Sequence, residues 1–267
     1  MIDYSRGNLL LKATNVNLMY DDRHILRDVN MEIFDLRRPG MIQGQVVSLI
    51  GRSGIGKTQL FKILAGLIHP TSGTILIGEG QKPVAAGEVG VVPQNYILFN
   101  HRTIYNNLRI GLRHCGKKVG DNEAKDMIED YARRFDLIDH LKKFPAQLSG
   151  GQRQRVSIIQ QVLTGNKFIL LDEPFSGLDP IMKDLVDDLL LKISLMDEEN
   201  TLIIVSHDII NTLALSDTAF ILAREPGKEG ATIVETIDLI ETGFAWHQNL
   251  KSEHAFQDLV VSIKSKI

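Results

Sequence analysis

Two hydrophobic periods alternate along this chain. Short apolar runs with strand character occur at residues 9–18, 29–33, 46–50, 74–77, 90–92, 168–171, 201–205 and 231–234. Val46-Val47-Ser48-Leu49-Ile50 reads as a buried strand, and Phe61, Ile63, Leu64 and Leu67 follow it at helical spacing. Val29, Met31 and Ile33 alternate with Asn30 and Glu32, the pattern of a half-buried strand; Phe34 breaks it, which predicts a strand end or a bulge. From about residue 104 to 144 the spacing is helical, through Ile104, Leu108 and Leu112 and then Ala124, Met127, Ile128, Tyr131 and Phe135. The charges between them read as a solvated face. Ser149 is placed as an N-cap for a helix with Val156, Ile159 and Val162 or Leu163 on its apolar side. Leu185, Leu189 and Ile193 predict a helix after Pro180, and Phe256, Leu259, Val260 and Ile263 a terminal one. Arg37-Arg38-Pro39-Gly40-Met41-Ile42-Gln43-Gly44 and His69-Pro70-Thr71-Ser72-Gly73 are turn-rich connections. Apolar strands alternating with helices predict an α/β fold with a largely parallel sheet covered on both faces and a small helical insertion.

The stretch between the 46–50 strand and its helix is Gly51-Arg52-Ser53-Gly54-Ile55-Gly56-Lys57-Thr58, a full match to the phosphate-binding pattern G-x-x-x-x-G-K-[ST]. Glycines let backbone wrap a phosphate chain, and N–H groups at the helix start face its charge. Lys57 is expected to reach the β- and γ-phosphates of a nucleotide, and the Thr58 hydroxyl to bind Mg²⁺. Phe168-Ile169-Leu170-Leu171 ends in Asp172-Glu173. Downstream of a phosphate loop, that pair suggests two jobs: Asp172 holds Mg²⁺, directly or through water, and Glu173 polarises an attacking water. Gln94, past the 90–92 strand, can bridge the metal and that water. His207, after the 201–205 strand, can bond the γ-phosphate. These groups all fall at the carboxyl ends of strands, where open α/β sheets bind ligands. Tyr20 is a candidate to stack on a purine; the competing reading is a core tyrosine.

Composition narrows the class. The chain has 267 residues, 43% hydrophobic and 24% charged, values of an ordinary globular protein. A net charge of −3 argues against a broad nucleic-acid-binding field, and no nucleic-acid partner is expected. Cys115 is the only cysteine, so neither an intrachain disulfide nor a cysteine metal site can form. The N-terminus lacks the pattern of a secretion signal, and no apolar run approaches the roughly 20 residues that span a bilayer. Any membrane part is expected on another chain.

Leu148-Ser149-Gly150-Gly151-Gln152 carries the family resemblance. With the phosphate loop, Gln94, Asp172-Glu173, Ser176-Gly177-Leu178-Asp179 and His207, it resembles the nucleotide-binding subunit of an ABC transporter over residues 9–223. The resemblance implies an ABC ATPase fold: a P-loop NTPase (RecA-like) core with a mostly parallel sheet, N-terminal antiparallel β-strands and an inserted α-helical subdomain. It divides residues 1–267 into a nucleotide-binding core (1–94 and 165–240), a helical subdomain (95–164) and a C-terminal tail (241–267). It implies ATP and Mg²⁺ as cofactors, with ATP held by Tyr20, by Gly51 through Thr58, and by Gln59. It further implies a head-to-tail dimer with a second copy or a homologue, in which the Ser149 segment completes the partner's site and Asp179 lies on the loop between sites. Transmembrane permease subunits would bind at the groove of the Gln94 loop and helical insertion, on the cytoplasmic side of the membrane. A solute-binding protein is a further expected partner.

Ile55, Gln59, Gln160 and Asn211 depart from the family's usual residues, and the connection at residues 37–44 is longer than usual. The stretch Ile221-Leu222-Ala223-Arg224-Glu225-Pro226-Gly227 resembles nitrate/sulfonate/taurine import subunits, so a bacterial importer is the leading expectation. An exporter or lipid-trafficking ATPase fits the same motifs. A soluble ABC-type ATPase acting on DNA or ribosomes is a third reading, disfavoured because a long coiled coil, zinc-binding cysteines and a second cassette are all missing from the sequence. A regulatory module that binds ATP without hydrolysis is a fourth, opposed by Glu173 and His207.

Overall fold

The computed structural model describes residues 4–38, 43–245 and 250–267. Pro39, Gly40, Met41 and Ile42, in the middle of the turn-rich connection, lie outside the described residues, as do Met1, Ile2 and Asp3. Ten strands follow in chain order among the described residues: β1 (Ser5–Tyr20), β2 (Arg23–Arg37), β3 (Gln45–Ile50), β4 (Ser72–Ile77), β5 (Lys82–Pro83), β6 (Gly90–Val92), β7 (Phe168–Asp172), β8 (Thr201–Ser206), β9 (Thr218–Ala223) and β10 (Thr232–Asp238). The helices are α1 (Lys57–Leu64), α2 (Ile104–Arg113), α3 (Asp121–Arg134), α4 (Gly150–Val162), α5 (Pro180–Ser194), α6 (Ile209–Leu215) and α7 (His254–Lys266).

The strands form two sheets. One is antiparallel, in the order β2-β1-β4-β5; the other has six strands in the order β10-β9-β3-β8-β7-β6, parallel except for β10. Every residue of β3 and β8 is buried, as strands covered on both faces require. In β7 and β8, side-chain alternation splits the residues between two cores. Ile169, Leu171, Leu202 and Ile204 face one core with α2, α3, α4 and α5. Phe168, Leu170, Ile203 and Val205 face the other, shared with α1 and the antiparallel sheet. Each fully buried Leu or Ile contributes about 1.5–3 kcal/mol. Between β6 and β7 the chain is helical, and its apolar residues Ile104, Leu108 and Ile128 join the first core.

The periodicity located most elements but not their extent. The alternation broken at Phe34 marks a bulge: Leu9 pairs with Phe34 and Leu11 with Ile33, and β2 continues to Arg37. The pattern did not single out α6, β9 or the two-residue β5. The segment after residue 250 makes a single 3-10 turn, Leu250–Ser252, and then α7, whose Phe256, Val260 and Ile263 pack into a third core with β9 and α6.

Candidate functional site

The phosphate loop joins β3 to α1. A side chain at Gly51 would place its Cβ 2.5 Å from the Leu222 carbonyl oxygen, so only glycine lets the strand run past β9 here. Gly56 has φ 118°, a conformation closed to side-chain-bearing residues, and turns the chain into the first N–H groups of α1. Lys57 opens the helix and is only 6% exposed. Its Nζ donates to the carbonyls of Gly51 (2.9 Å) and Arg52 (3.0 Å) and lies 3.3 Å from Glu173 Oε1. Thr58 is exposed beside it.

Glu173 follows β7 with φ 51°, the left-handed region in which a non-glycine residue is strained. Its N–H is fixed by the Val205 carbonyl at 2.8 Å. That turn brings Oε2 within 2.7 Å of His207 Nδ1, 3.2 Å of the His207 N–H and 3.2 Å of the Ser206 hydroxyl, all three donating to it. A carboxylate can only accept, so the Nδ1 of His207 carries the hydrogen. Asp172 is half-buried, and its Oδ1 is buried with no hydrogen-bond partner. Burial pushes its carboxyl above the ordinary carboxylate range, and the charge of Glu173 adds to this, against the pull of Lys57 and Lys62. A buried, orphaned carboxylate oxygen beside a phosphate loop fits a hard divalent cation such as Mg²⁺, which takes oxygen donors. Gln94 donates from Nε2 to the Ser176 hydroxyl at 3.1 Å.

All of the predicted catalytic and metal-binding groups except Asp172, which lies beside it without lining it, meet at one cleft of about 490 Å³. It is lined by Tyr20, Ser53, Gly54, Gly56, Lys57, Thr58, Gln59, Gln94, Glu173 and His207, together with Ile25 and Ser176. Tyr20 is 48% exposed at its rim, which excludes the core-tyrosine reading; its hydroxyl donates to Gln59 Oε1 at 3.0 Å. Gly51, Arg52 and Ile55 shape the loop without lining the cleft. The bulky Ile55 packs instead against the core beneath the antiparallel sheet.

Leu148, Ser149, Gly150, Gly151 and Gln152 do not line that cleft. Ser149 caps α4 through a reciprocal capping box with Gln152, its hydroxyl accepting from the Gln152 N–H at 3.3 Å. Leu148 is buried, whereas Ser149 and Gly150 are exposed. Cβ atoms at Gly150 and Gly151 would meet no backbone, so the glycines leave an open approach to this helix start. Asp179 caps α5, accepting from the Met182 N–H at 3.0 Å.

Ser206, Ser176 and Ile25 were not singled out from the sequence as site residues. Ser206 had a signal, a hydroxyl closing an otherwise apolar strand. Two departures acquire a physical reason. Gln59 holds Tyr20, and buried Gln160 donates from Nε2 to the Asn107 carbonyl at 2.8 Å, joining α4 to α2.

The chain matches the family model described as ABC transporter over residues 40–176. It is 38% identical over 189 residues to the uncharacterized ABC transporter ATP-binding protein YtlC of Bacillus subtilis, covering 69% of this chain and 70% of that protein. It is 33% identical over 216 residues to the spermidine/putrescine import ATP-binding protein PotA of Marinobacter nauticus, covering 80% of this chain and 55% of PotA. The chain thus spans about half the length of the PotA proteins it matches. It is also 37% identical over 196 residues to the bicarbonate transport ATP-binding protein CmpC of Synechococcus elongatus, covering 72% of this chain and 29% of CmpC. In fold it is similar to cbiO1 of Clostridium perfringens, with TM-score 0.73 and 24% identity over 98% of this chain and 96% of that one. With a family match over residues 40–176, which spans the phosphate loop, the Ser149 helix start and Asp172-Glu173, and 38% identity to YtlC over 69% of its own length, the chain belongs to the ABC transporter family.

Proposed function

We propose that this chain is the ATP-hydrolysing motor subunit of an ABC importer. The carrying observation is the placement of Glu173, bonded to His207 at 2.7 Å and beside Lys57 at 3.3 Å, at the rim of a cleft the phosphate loop lines. Tyr20 stacks on the purine. The loop's N–H groups and Lys57 take the phosphates, so the Lys57–Glu173 pair yields to the γ-phosphate when ATP enters. Glu173 is thereby released to accept a proton from the attacking water. His207 keeps Glu173 oriented through Nδ1 and can donate from Nε2 to the γ-phosphate when the ring carries both protons. Thr58, Asp172 and Gln94 would hold Mg²⁺, which supplies charge neutralisation between the β- and γ-phosphates. Gln94, tied to Ser176, would orient a water toward Glu173.

The exposed Ser149-Gly150-Gly151 helix start is a second anion site with no role in its own cleft. It completes the ATP site of a second copy or homologue in a head-to-tail dimer, with Asp179 on the loop between the two sites. No helix among the described residues is long and apolar enough to cross a membrane. Permease subunits supply that part, and the chain works peripherally at the cytoplasmic face. Import is favoured by relatives named as import ATP-binding proteins, PotA among them.

The test uses Glu173→Gln, which stalls with ATP bound. ATP hydrolysis should fall about a hundredfold or more. In the presence of ATP and Mg²⁺ the tagged variant should co-purify from detergent-solubilised membranes with a multi-span permease. Undiminished hydrolysis refutes the role of Glu173. Recovery only from the soluble fraction, with nucleic acid or ribosomes attached, refutes the transporter reading.

A further inference from the structure

A chain of hydrogen bonds leads out of the site from Glu173. The Ser206 hydroxyl that donates to Glu173 Oε2 at 3.2 Å accepts from the Asp208 N–H at 3.0 Å. Asp208 in turn is held on three sides. Oδ1 accepts from the Asn211 N–H at 3.2 Å, while Oδ2 accepts from Asn211 Nδ2 at 2.8 Å and from Lys183 Nζ at 2.6 Å. His207 therefore sits between two residues whose positions are pinned.

The far end of the chain is Lys251, in the 3-10 turn that begins the C-terminal segment. Its Nζ donates to Asn211 Oδ1 at 2.7 Å and to Asp187 Oδ2 at 2.7 Å, and lies 3.6 Å from Asp184. This contact decides which way the Asn211 amide faces. With its oxygen on an ammonium, its NH₂ must face Asp208, which can only accept. A carboxylate at that position could not donate to Asp208 and would repel it. Asn211 and Lys251 thus form a matched pair. Lys251 also neutralises Asp187, whose carboxyl is pushed up to about 6 by burial against the pull of that same ammonium. Gln257 Nε2 donates to the Lys251 carbonyl at 2.6 Å, joining the turn to α7.

We propose that Lys251 is a positioning residue for ATP hydrolysis: through Asn211, Asp208 and Ser206 it holds the His207 loop and Glu173 in register, tying the C-terminal segment to the hydrolytic side of the site. This rests on the reading of Glu173 and His207 as the hydrolytic pair. The side chains of the relay meet Glu173 and the His207 loop, and the phosphate loop is reached through backbone, the Ser206 carbonyl accepting from the Gly51 N–H at 3.4 Å. The relay is therefore expected to act on turnover more than on ATP affinity.

The experiment compares kcat and KM for Mg-ATP in the purified full chain and in Lys251→Met, Lys251→Arg, Asn211→Asp and Lys266→Met. Lys251→Met should lower kcat by about threefold to tenfold with KM within about twofold. Arginine, which can still donate to both Asn211 and Asp187, should restore at least half of the loss. Asn211→Asp is nearly isosteric but cannot donate to Asp208; it should reproduce the fall in kcat even if Lys251→Met does not fold. Lys266→Met removes a separate polar tie of α7, its pair with Glu235 at 2.8 Å, and should leave kcat unchanged. Wild-type kcat in both Lys251→Met and Asn211→Asp overturns the relay. So does an equal loss in Lys266→Met, which would mean that only tail docking matters. A wild-type chain that binds ATP without hydrolysing it overturns the hydrolytic reading itself, a result separable from the other two.

Discussion

Oε2 of Glu173 and Nδ1 of His207, 34 positions apart in sequence, lie 2.7 Å apart across the ends of β7 and β8. The two strands are parallel neighbours, with Asp172 paired to Val205, so the residues just past each strand end emerge side by side. The left-handed turn at Glu173 then swings its carboxylate toward the imidazole rather than along the strand.

Replacing His207 by alanine removes the Nδ1–H donor but spares Lys57 and the phosphate loop. ATP hydrolysis should fall about a hundredfold while ATP affinity changes less than about threefold. Single-turnover phosphate release, measured beside equilibrium nucleotide binding, separates the two. An equal loss in both would place His207 in binding instead.

Asp172 should behave differently with and without metal. Its folded-state carboxyl is raised by burial first and by the neighbouring charge of Glu173 second. For a carboxyl raised on folding, ionisation costs stability above the unfolded value near 3.8. The neutral isostere in Asp172→Asn should therefore match or exceed the wild-type Tm in metal-free buffer. The additional Tm rise that Mg²⁺ brings to the ATP-bound wild type should be absent. Thermal melts with ATP, with and without Mg²⁺, check both statements.

Arg38 and Asp217 form a buried ion pair, N to O 3.0 Å, whose carboxylate also accepts from the Val46 N–H at 2.7 Å. Burial pushes Asp217 up to about 7, opposed by the charge of Arg38. Removing the guanidinium in Arg38→Met leaves a buried carboxylate without its cation and should cost about 3–5 kcal/mol at pH 8. The sign with pH follows from the raised value. Between about 4 and 7 the folded state binds the proton that the unfolded state has lost, so stability falls as pH rises through this window. The variant, whose Asp217 is raised further, should extend that fall above pH 7 and recover toward wild type near pH 5. Urea unfolding at pH 5 and pH 8 checks it.

Much of the site was legible because its chemistry is written in contiguous residues. A loop that wraps phosphate needs its glycines and lysine at set spacing, and a strand end that presents carboxylates shows as an apolar run closed by Asp172-Glu173. What stayed hidden was contact between distant segments. Nothing in the sequence pairs Lys57 with Glu173, Tyr20 with Gln59, or Ser206 with Glu173, because side-chain meetings across strand ends depend on strand order. The same holds for Asn211: by itself it is a departure from a pattern, and only its contact with Lys251 gives it a reason.

By itself the sequence determined the alternation of strand and helix, the phosphate loop and the family, and it named the candidate reacting groups. These rest on local periodicity and on backbone conformations that only certain residues allow. Tertiary structure alone decided that Ile55 packs against the core, that β2 runs on to Arg37 opposite a bulge in β1, and that a lysine near the C-terminus is joined by hydrogen bonds to the His207 loop. Those outcomes depend on which surfaces meet after folding, and packing and hydrogen-bond satisfaction choose among partners that no local pattern specifies.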